Sequence, residues 1–343
     1  MAFLLRRASA KPHTARRWLS TSSERWPPLL VSPQHVHELI KNEPEKVTVL
    51  DATWFMPNSP RKGKTEFSAG KRLPGAQFLD LDEVASPHEL GLKHMMPGPD
   101  VFAEACGRFG IESSTNVVIY DTHGVFSSPR ALFMFRAFGH IRSSIIDGGL
   151  PRWVDEGFPL ENGEPEQPRT TSYVKPELKD HFIRDYEQMV SNSLLDPTTN
   201  SRAGIVLDAR PKERQVTELR FISSSSLSPP EPRPGLSSGH MPHSFSLPFN
   251  TFLQKQTSKV DGSEYTIFRD TNGLRHALDA AVGVEQAQAI IDGKRQVITT
   301  CGSGMTAGVL WLGLKLLRAK DVALYDESWT GYAMRPSSKI IQD

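Results

Sequence analysis

Cysteine is scarce in this sequence. Its 343 residues include two, Cys106 and Cys301, far apart along the chain. That excludes the disulfide framework of a small secreted domain and points to a reducing compartment. It also excludes a cysteine-rich zinc site. The short pairs His35/His37 and His240/His243 are weak metal signals by themselves, so neither a metal nor an organic cofactor is expected. Excess charge of either sign is lacking as well. Lys and Arg number 40 and Asp and Glu 39, a formal net charge of +1. No global field favours a nucleic acid or an anionic membrane surface. No apolar run approaches the roughly 20 residues that cross a bilayer. Neither nucleic acid nor membrane is expected as a partner.

Acid is absent from the start of the chain. Residues 1–23 carry Arg6, Arg7, Lys11, Arg16 and Arg17 with dense Ser and Thr, and the first acid is Glu24. This is the composition of a mitochondrial transit peptide. The segment is expected to be disordered and is set apart from the fold. The expected address is the mitochondrial matrix, with the cytoplasm as a candidate second location.

The rest of the chain has the length of two ordinary domains, and it repeats itself. Val49-Leu-Asp-Ala-Thr53 echoes Val206-Leu-Asp-Ala-Arg210. Lys71-Arg-Leu-Pro-Gly-Ala76 echoes the run from Gly239 to Ser244. Val118-Ile-Tyr-Asp121 echoes Ile298-Thr-Thr-Cys301, and Ile146-Asp-Gly-Gly149 echoes Tyr325-Asp-Glu-Ser328. The echoes keep their order, which argues for duplication into tandem domains. Short apolar runs (Val47–Leu50, Val117–Tyr120, Ser143–Ile146) read as buried strands. Longer amphipathic runs (Pro33–Lys41, Asp100–Phe109, Pro129–Phe138) read as helices. Alternating strands and helices imply an α/β fold in which each half is a mainly parallel sheet flanked by helices. The Pro-rich, charged stretch after residue 155 reads as a linker. Ser223–Ser238, rich in Ser and Pro, reads as a surface loop without a function.

Sites in such sheets lie at the C-terminal ends of strands, and Cys301 falls there. The run Cys301-Gly302-Ser303-Gly304-Met305-Thr306 joins a short apolar strand to a long apolar helix. Backbone N–H groups and a helix start both favour thiolate over thiol, which is what makes a cysteine a nucleophile. Three chemistries compete. A phosphatase needs an arginine six residues on, and Ala307 is there instead. A cysteine–histidine acyl transferase needs an adjacent base, and the sequence names none. Sulfur transfer through a persulfide needs only the thiolate and N–H donors. Cys106, in a helical run, reads as core, as do Trp153, Trp311 and Trp329. Arg210 reads as a support of the domain through an ion pair, and Asp208 as a structural carboxylate at a strand end.

These residues resemble the tandem-domain rhodanese sulfurtransferases, across nearly all of residues 27–336. The loop at Cys301 is similar to that of the mercaptopyruvate-using members. The thiosulfate-specific members carry two basic residues where this chain has Gly302 and Ser303. Further matching runs are Phe126-Ser-Ser-Pro-Arg-Ala131, Met134–His140, Leu150–Trp153 and Tyr325-Asp-Glu-Ser-Trp329. The resemblance implies an inactive rhodanese-like domain at 27–160, a linker at 161–182 and a catalytic domain at 183–336. Asp121 holds the place of Cys301 in the first half and cannot carry sulfur. The resemblance further implies a Cys301 persulfide, an active-site loop of Gly302, Ser303, Gly304, Met305 and Thr306, and Arg214 and Arg233 as binders of an α-keto acid donor. A guanidinium fork suits such a carboxylate. The Ser303 hydroxyl suits the donor thiol or ketone. The implied small-molecule donor is 3-mercaptopyruvate, releasing pyruvate. Cyanide, a small thiol or thioredoxin would be the acceptor. Thiosulfate as donor is one alternative, and a sulfur relay for RNA thiolation is another. The chain departs from the family at Arg72, where the mercaptopyruvate enzymes have a relay histidine. An arginine cannot act as a base. Arg72 is instead a candidate cation for anionic sulfur donors, and His123 or a water is a candidate proton acceptor.

Overall fold

The computed structural model describes residues 27–212, Gln215, Arg233 and 235–342. The expected transit segment, Arg214 and most of the Ser- and Pro-rich stretch lie outside the described residues. The chain forms two five-stranded sheets, each wholly parallel. The first contains β1 (Leu30–Val31), β2 (Val47–Asp51), β3 (Ala76–Phe78), β4 (Asn116–Tyr120) and β5 (Ser143–Ile146), in the order β1-β5-β4-β2-β3. The second contains β6 (Ile183–Arg184), β7 (Ile205–Asp208), β8 (Phe245–Ser246), β11 (Val297–Thr300) and β12 (Val322–Tyr325), in the order β6-β12-β11-β7-β8. The two orders correspond strand for strand, as the sequence echoes require. Between β8 and β11 the second half carries an antiparallel hairpin, β9 (Leu253–Thr257) with β10 (Glu264–Phe268).

The strand sequences are apolar without alternation because both faces of each sheet are covered. Successive residues enter different cores. Val49, Val118, Tyr120 and Ile146 pack in a cluster on the outer face of the first sheet. Val206, Ile298, Ala323 and Tyr325 do so on the outer face of the second. Their neighbours Leu50, Val117, Ile119 and Ile145, and Ile205, Leu207, Val297 and Leu324, share one continuous cluster between the sheets. Trp153 and Trp329 belong to the outer cores and Trp311 to the shared one.

Two helices fill the shared cluster. They are α4 (Ser128–Ala137) and α9 (Ala307–Leu316), each following the strand that leads to Asp121 or Cys301. Nearly every side chain of both is buried, as expected of helices that are apolar all round. They meet at Gly308. A Cβ there would come within 2.8 Å of the Arg130 backbone nitrogen, so only glycine permits the approach. Phe133 and Trp311 meet edge to face at 5.2 Å, a geometry that adds about 1 kcal/mol to the area they bury. Polar clasps close both sides of this seam. Phe268 N–H in β10 donates to Asp147 of the first half (2.9 Å), and Met96 N–H donates to Asp326 of the second (2.8 Å).

The Pro-rich connection does not hang free. Glu161 pairs by its backbone with Arg72, Thr171 N–H bonds Gly107, and Lys179 N–H bonds Ala137. Tyr173 reaches back to His140. His140 Nε2 lies 3.0 Å from the Thr115 carbonyl, which can only accept, so Nε2 carries the proton and Nδ1 accepts from the Tyr173 hydroxyl at 2.9 Å. Burial pushes this imidazole down to about 4. A folded value below the unfolded one of about 6.5 favours the neutral form. Its stabilisation is therefore full above pH 6.5 and is lost as pH falls through 4. Asp51 works in the opposite sense, since burial, partly offset by bonds from Thr53, raises its carboxyl to about 6. Comparison with His140→Gln isolates the histidine. Urea unfolding at pH 7 and pH 4 should show the parent's advantage over the variant shrinking by about 3 kcal/mol at the lower pH.

Candidate active site

Cys301 follows β11 and is 2 % exposed. Its loop is held from below by the segment after β12. Cys301 N–H donates to Ser328 Oγ at 3.1 Å, and the Ser328 hydroxyl donates on to the Tyr325 carbonyl at 3.0 Å. Trp329 N–H bonds the Cys301 carbonyl and Thr330 N–H the Gly302 carbonyl, each at 2.9 Å. The Thr330 hydroxyl adds a second bond to Gly302 at 2.6 Å. Gly304 takes φ +86°, a left-handed conformation that turns the chain back over the cysteine. Its N–H then lies 3.1 Å from Cys301 Sγ. Among the described residues it is the one hydrogen bond to that sulfur. The helix α9 begins just beyond, at Ala307, and its positive end favours an anion at the loop.

The corresponding loop of the first half shows what this architecture prefers to bind. The Asp121 carboxylate, fully buried, accepts N–H bonds from His123, Phe126, Ser127 and Ser128 at 2.9–3.0 Å, and the Ser128 hydroxyl at 2.7 Å. The aspartate side chain fills that cradle, so no sulfur can enter it. His123, considered as a base, lies 3.8 Å from Asp121 and packs on Phe55 and Phe126. Burial lowers its imidazole below the usual range, against the pull of Asp121.

The other sequence candidates separate in space. Arg233 lies on the loop: a Cβ on Gly302 would stand 2.0 Å from its Nη2. Ser303 is half-buried and Met305 buried, and Thr306 precedes α9. Arg72 goes elsewhere. It is 2 % exposed, donates to the Gly163 carbonyl at 2.7 Å and lies over the Phe67 ring. Instead of adding charge to the sulfur loop, it ties the connection after the first sheet to that sheet. Asp208 and Arg210 form a buried two-pronged pair, and the Arg210 guanidinium also covers Trp329 at 4.2 Å. Cys106 is buried, and desolvation holds its thiol well above the ordinary range. A cavity of about 350 Å³ lined by Asp180, Arg184, Asn192 and Gln296 opens near the start of β11, at the opposite end of the strand from Cys301.

Sequence reasoning missed the groups that hold the loop from outside it. Ser328 was visible within a matched run, but its role depends on a φ of +52° that a serine rarely takes. Arg130 was visible too. Its reach across the seam to Asp326, at 2.6 Å, was not.

No protein-family model matches the chain. Curated proteins do. A probable 3-mercaptopyruvate sulfurtransferase of Schizosaccharomyces pombe is 36% identical over 88% of this chain and 91% of its own length. The chain belongs to the 3-mercaptopyruvate sulfurtransferase family. The human protein of that name is 34% identical over 89% of this chain and 92% of its own length. Others matched are an Arabidopsis thiosulfate/3-mercaptopyruvate sulfurtransferase named as mitochondrial and proteins named thiosulfate sulfurtransferase. The fold is that of SseA from Escherichia coli, a 3-mercaptopyruvate enzyme described by its "rhodanese" fold. That structure superposes with a TM-score of 0.67 at 24% identity, covering 88% of this chain and 98% of its own. Sulfurtransferases of this family act on small sulfur donors.

The position of Arg233 against Gly302 can be tested without any donor. In Gly302→Ala the new methyl group displaces the end of a flexible side chain and no backbone, so stability should change little. Cys301 should then lose preference for an anionic reagent. The ratio of its alkylation rates by iodoacetate and iodoacetamide, followed by mass spectrometry, should fall about threefold, equivalent to about 0.6 kcal/mol.

Proposed function

We propose that this protein moves sulfur from 3-mercaptopyruvate to a thiol acceptor through a persulfide on Cys301, releasing pyruvate. One observation carries the reading: the two positions after the cysteine are uncharged, with Arg233 laid on the first of them. Thiosulfate is a compact dianion and wants cations beside its sulfur. Mercaptopyruvate carries its charge at the far end from the thiol, where Arg233 would hold the carboxylate with Arg214.

The steps balance without a cofactor. The Cys301 thiolate attacks the donor sulfur and an S–S bond forms. The carbon–sulfur bond breaks with its electron pair going to carbon, and the resulting enolate takes up a proton to become pyruvate. The carbon is reduced as the sulfur rises to the sulfane level. The persulfide is anionic, and Gly304 N–H with the start of α9 favours it. An acceptor thiolate, from a small thiol or a thioredoxin-like protein, then attacks the outer sulfur and Cys301 leaves as thiolate. The composition of residues 1–23 supports the mitochondrial matrix as the place of action.

The test compares kcat/KM for mercaptopyruvate and for thiosulfate. Mercaptopyruvate should lead by at least about tenfold, equivalent to about 1.4 kcal/mol. A lead for thiosulfate would replace the donor. Mass spectrometry after donor treatment should find one added sulfur on Cys301 and none on Cys106, and Cys301→Ser should abolish turnover.

A further inference from the structure

Trp329 is 1 % exposed, in the outer core of the second half, and it makes two hydrogen bonds in different directions. Its backbone N–H donates to the Cys301 carbonyl at 2.9 Å. Its indole Nε1 donates to the Ser237 carbonyl at 3.2 Å. A buried indole N–H needs a partner, and this one reaches out of the core to find it. The ring is fixed from its own side as well. The Arg210 guanidinium covers it at 4.2 Å while binding both Asp208 oxygens, and Tyr332 stacks on it at 6.1 Å.

The segment that receives the indole bond leads back to Arg233. Leu236 N–H bonds the Arg233 carbonyl at 3.3 Å, and Gly235 takes φ +80°. The sequence Arg233-Pro-Gly-Leu236 suits a type II turn, with proline second and glycine third. Beyond Ser237 the chain is tied down again. Gln342 Nε2 donates to the Ser238 carbonyl at 3.2 Å, Arg210 Nη2 donates to the Gly239 carbonyl at 2.8 Å, and His240 pairs by its backbone with Ile341. Of these ties, the one from Trp329 is nearest to Arg233. The Arg233 guanidinium in turn meets the Cys301 loop at Gly302. Trp329 thus grips both the loop that carries the sulfur and the turn that carries the cation.

We propose that Trp329 is the positioning residue that sets Arg233 against the Cys301 loop. Its main chain fixes the loop, its indole fixes the turn, and the rigid ring between them sets the spacing. It acts through Arg233 and touches no donor itself. The inference rests on the mercaptopyruvate reading, in which Arg233 holds the donor carboxylate. That carboxylate takes no part in breaking the carbon–sulfur bond, so it is held alike before and during the reaction. Loosening its cation therefore raises KM and leaves kcat.

Trp329→Phe keeps the backbone N–H and an aromatic face for Arg210, and it removes the indole N–H. KM for mercaptopyruvate should rise about fivefold, the scale of one hydrogen bond, with kcat within about twofold of the parent. Without any donor, the ratio of Cys301 alkylation rates by iodoacetate and iodoacetamide should fall about twofold, as Arg233 moves off the loop. The iodoacetamide rate itself should hold. In an Arg233→Ala background, Trp329→Phe should change kcat/KM by less than about twofold, since the two act as one. A glycine inserted between Leu236 and Ser237 leaves Trp329 intact and frees the turn, and it should reproduce the changes in KM and in the alkylation ratio. Unchanged KM and ratio in Trp329→Phe would overturn the proposal. So would a full further loss in the Arg233→Ala background, or a fall in iodoacetamide alkylation equal to the loss of turnover, which marks a collapsed loop. A parent enzyme that fails to turn over mercaptopyruvate sinks the donor reading instead, and the alkylation ratio still decides the role of Trp329.

Discussion

The close approach of α4 and α9 at Gly308 is the constraint on which the rest of the molecule depends. Two helices that are apolar on every side cannot face water, and each needs the other half of the chain to cover it. Their contact makes one continuous core from what the sequence writes as two domains. It also brings the starts of both helices together, and with them the two loops at Asp121 and Cys301. A methyl group at Gly308 would push the backbones apart. The sulfur loop would then lose Arg130, which reaches across the seam to Asp326 behind it.

The duplicated loops make opposite use of one geometry. In the first half a carboxylate fills a ring of N–H donors and fixes the loop permanently. In the second half the same turn offers one N–H to a thiol sulfur. The architecture is an anion holder in both cases. The first copy fills it with the Asp121 side chain, and the second turns it toward the Cys301 sulfur. The first half then contributes from outside: Met96 and Arg130 bind Asp326.

Much of the fold was legible because buried parallel strands write themselves plainly. Val47–Leu50, Val117–Tyr120 and Ser143–Ile146 are short apolar runs, and each is a strand. The echo between Asp51 and Asp208 becomes matching positions at the ends of β2 and β7, each in register with the strand that leads to Asp121 or Cys301. The loop residues from Cys301 to Thr306 were legible from their glycines. Less legible was anything that depends on a distant partner. Arg72 looked like a site cation because it stands where the resembling enzymes have a relay histidine, but its guanidinium found a carbonyl 91 residues away. The Pro-rich stretch read as a linker, and its backbone bonds to the first half at Glu161, Thr171 and Lys179 were not visible in it.

The sequence by itself determined the α/β class, the duplication, the thiol at a strand end and the aspartate at the matching place of the other copy. Those follow from local patterns, because period, glycine placement and residue identity act over a few positions. Only the tertiary structure decided which charges face the sulfur loop and which serve the scaffold. A guanidinium or imidazole spans several ångströms and takes whichever partner the packing of whole helices delivers. The seam at Gly308 made that delivery, setting Arg130 beside the loop and leaving Arg72 behind.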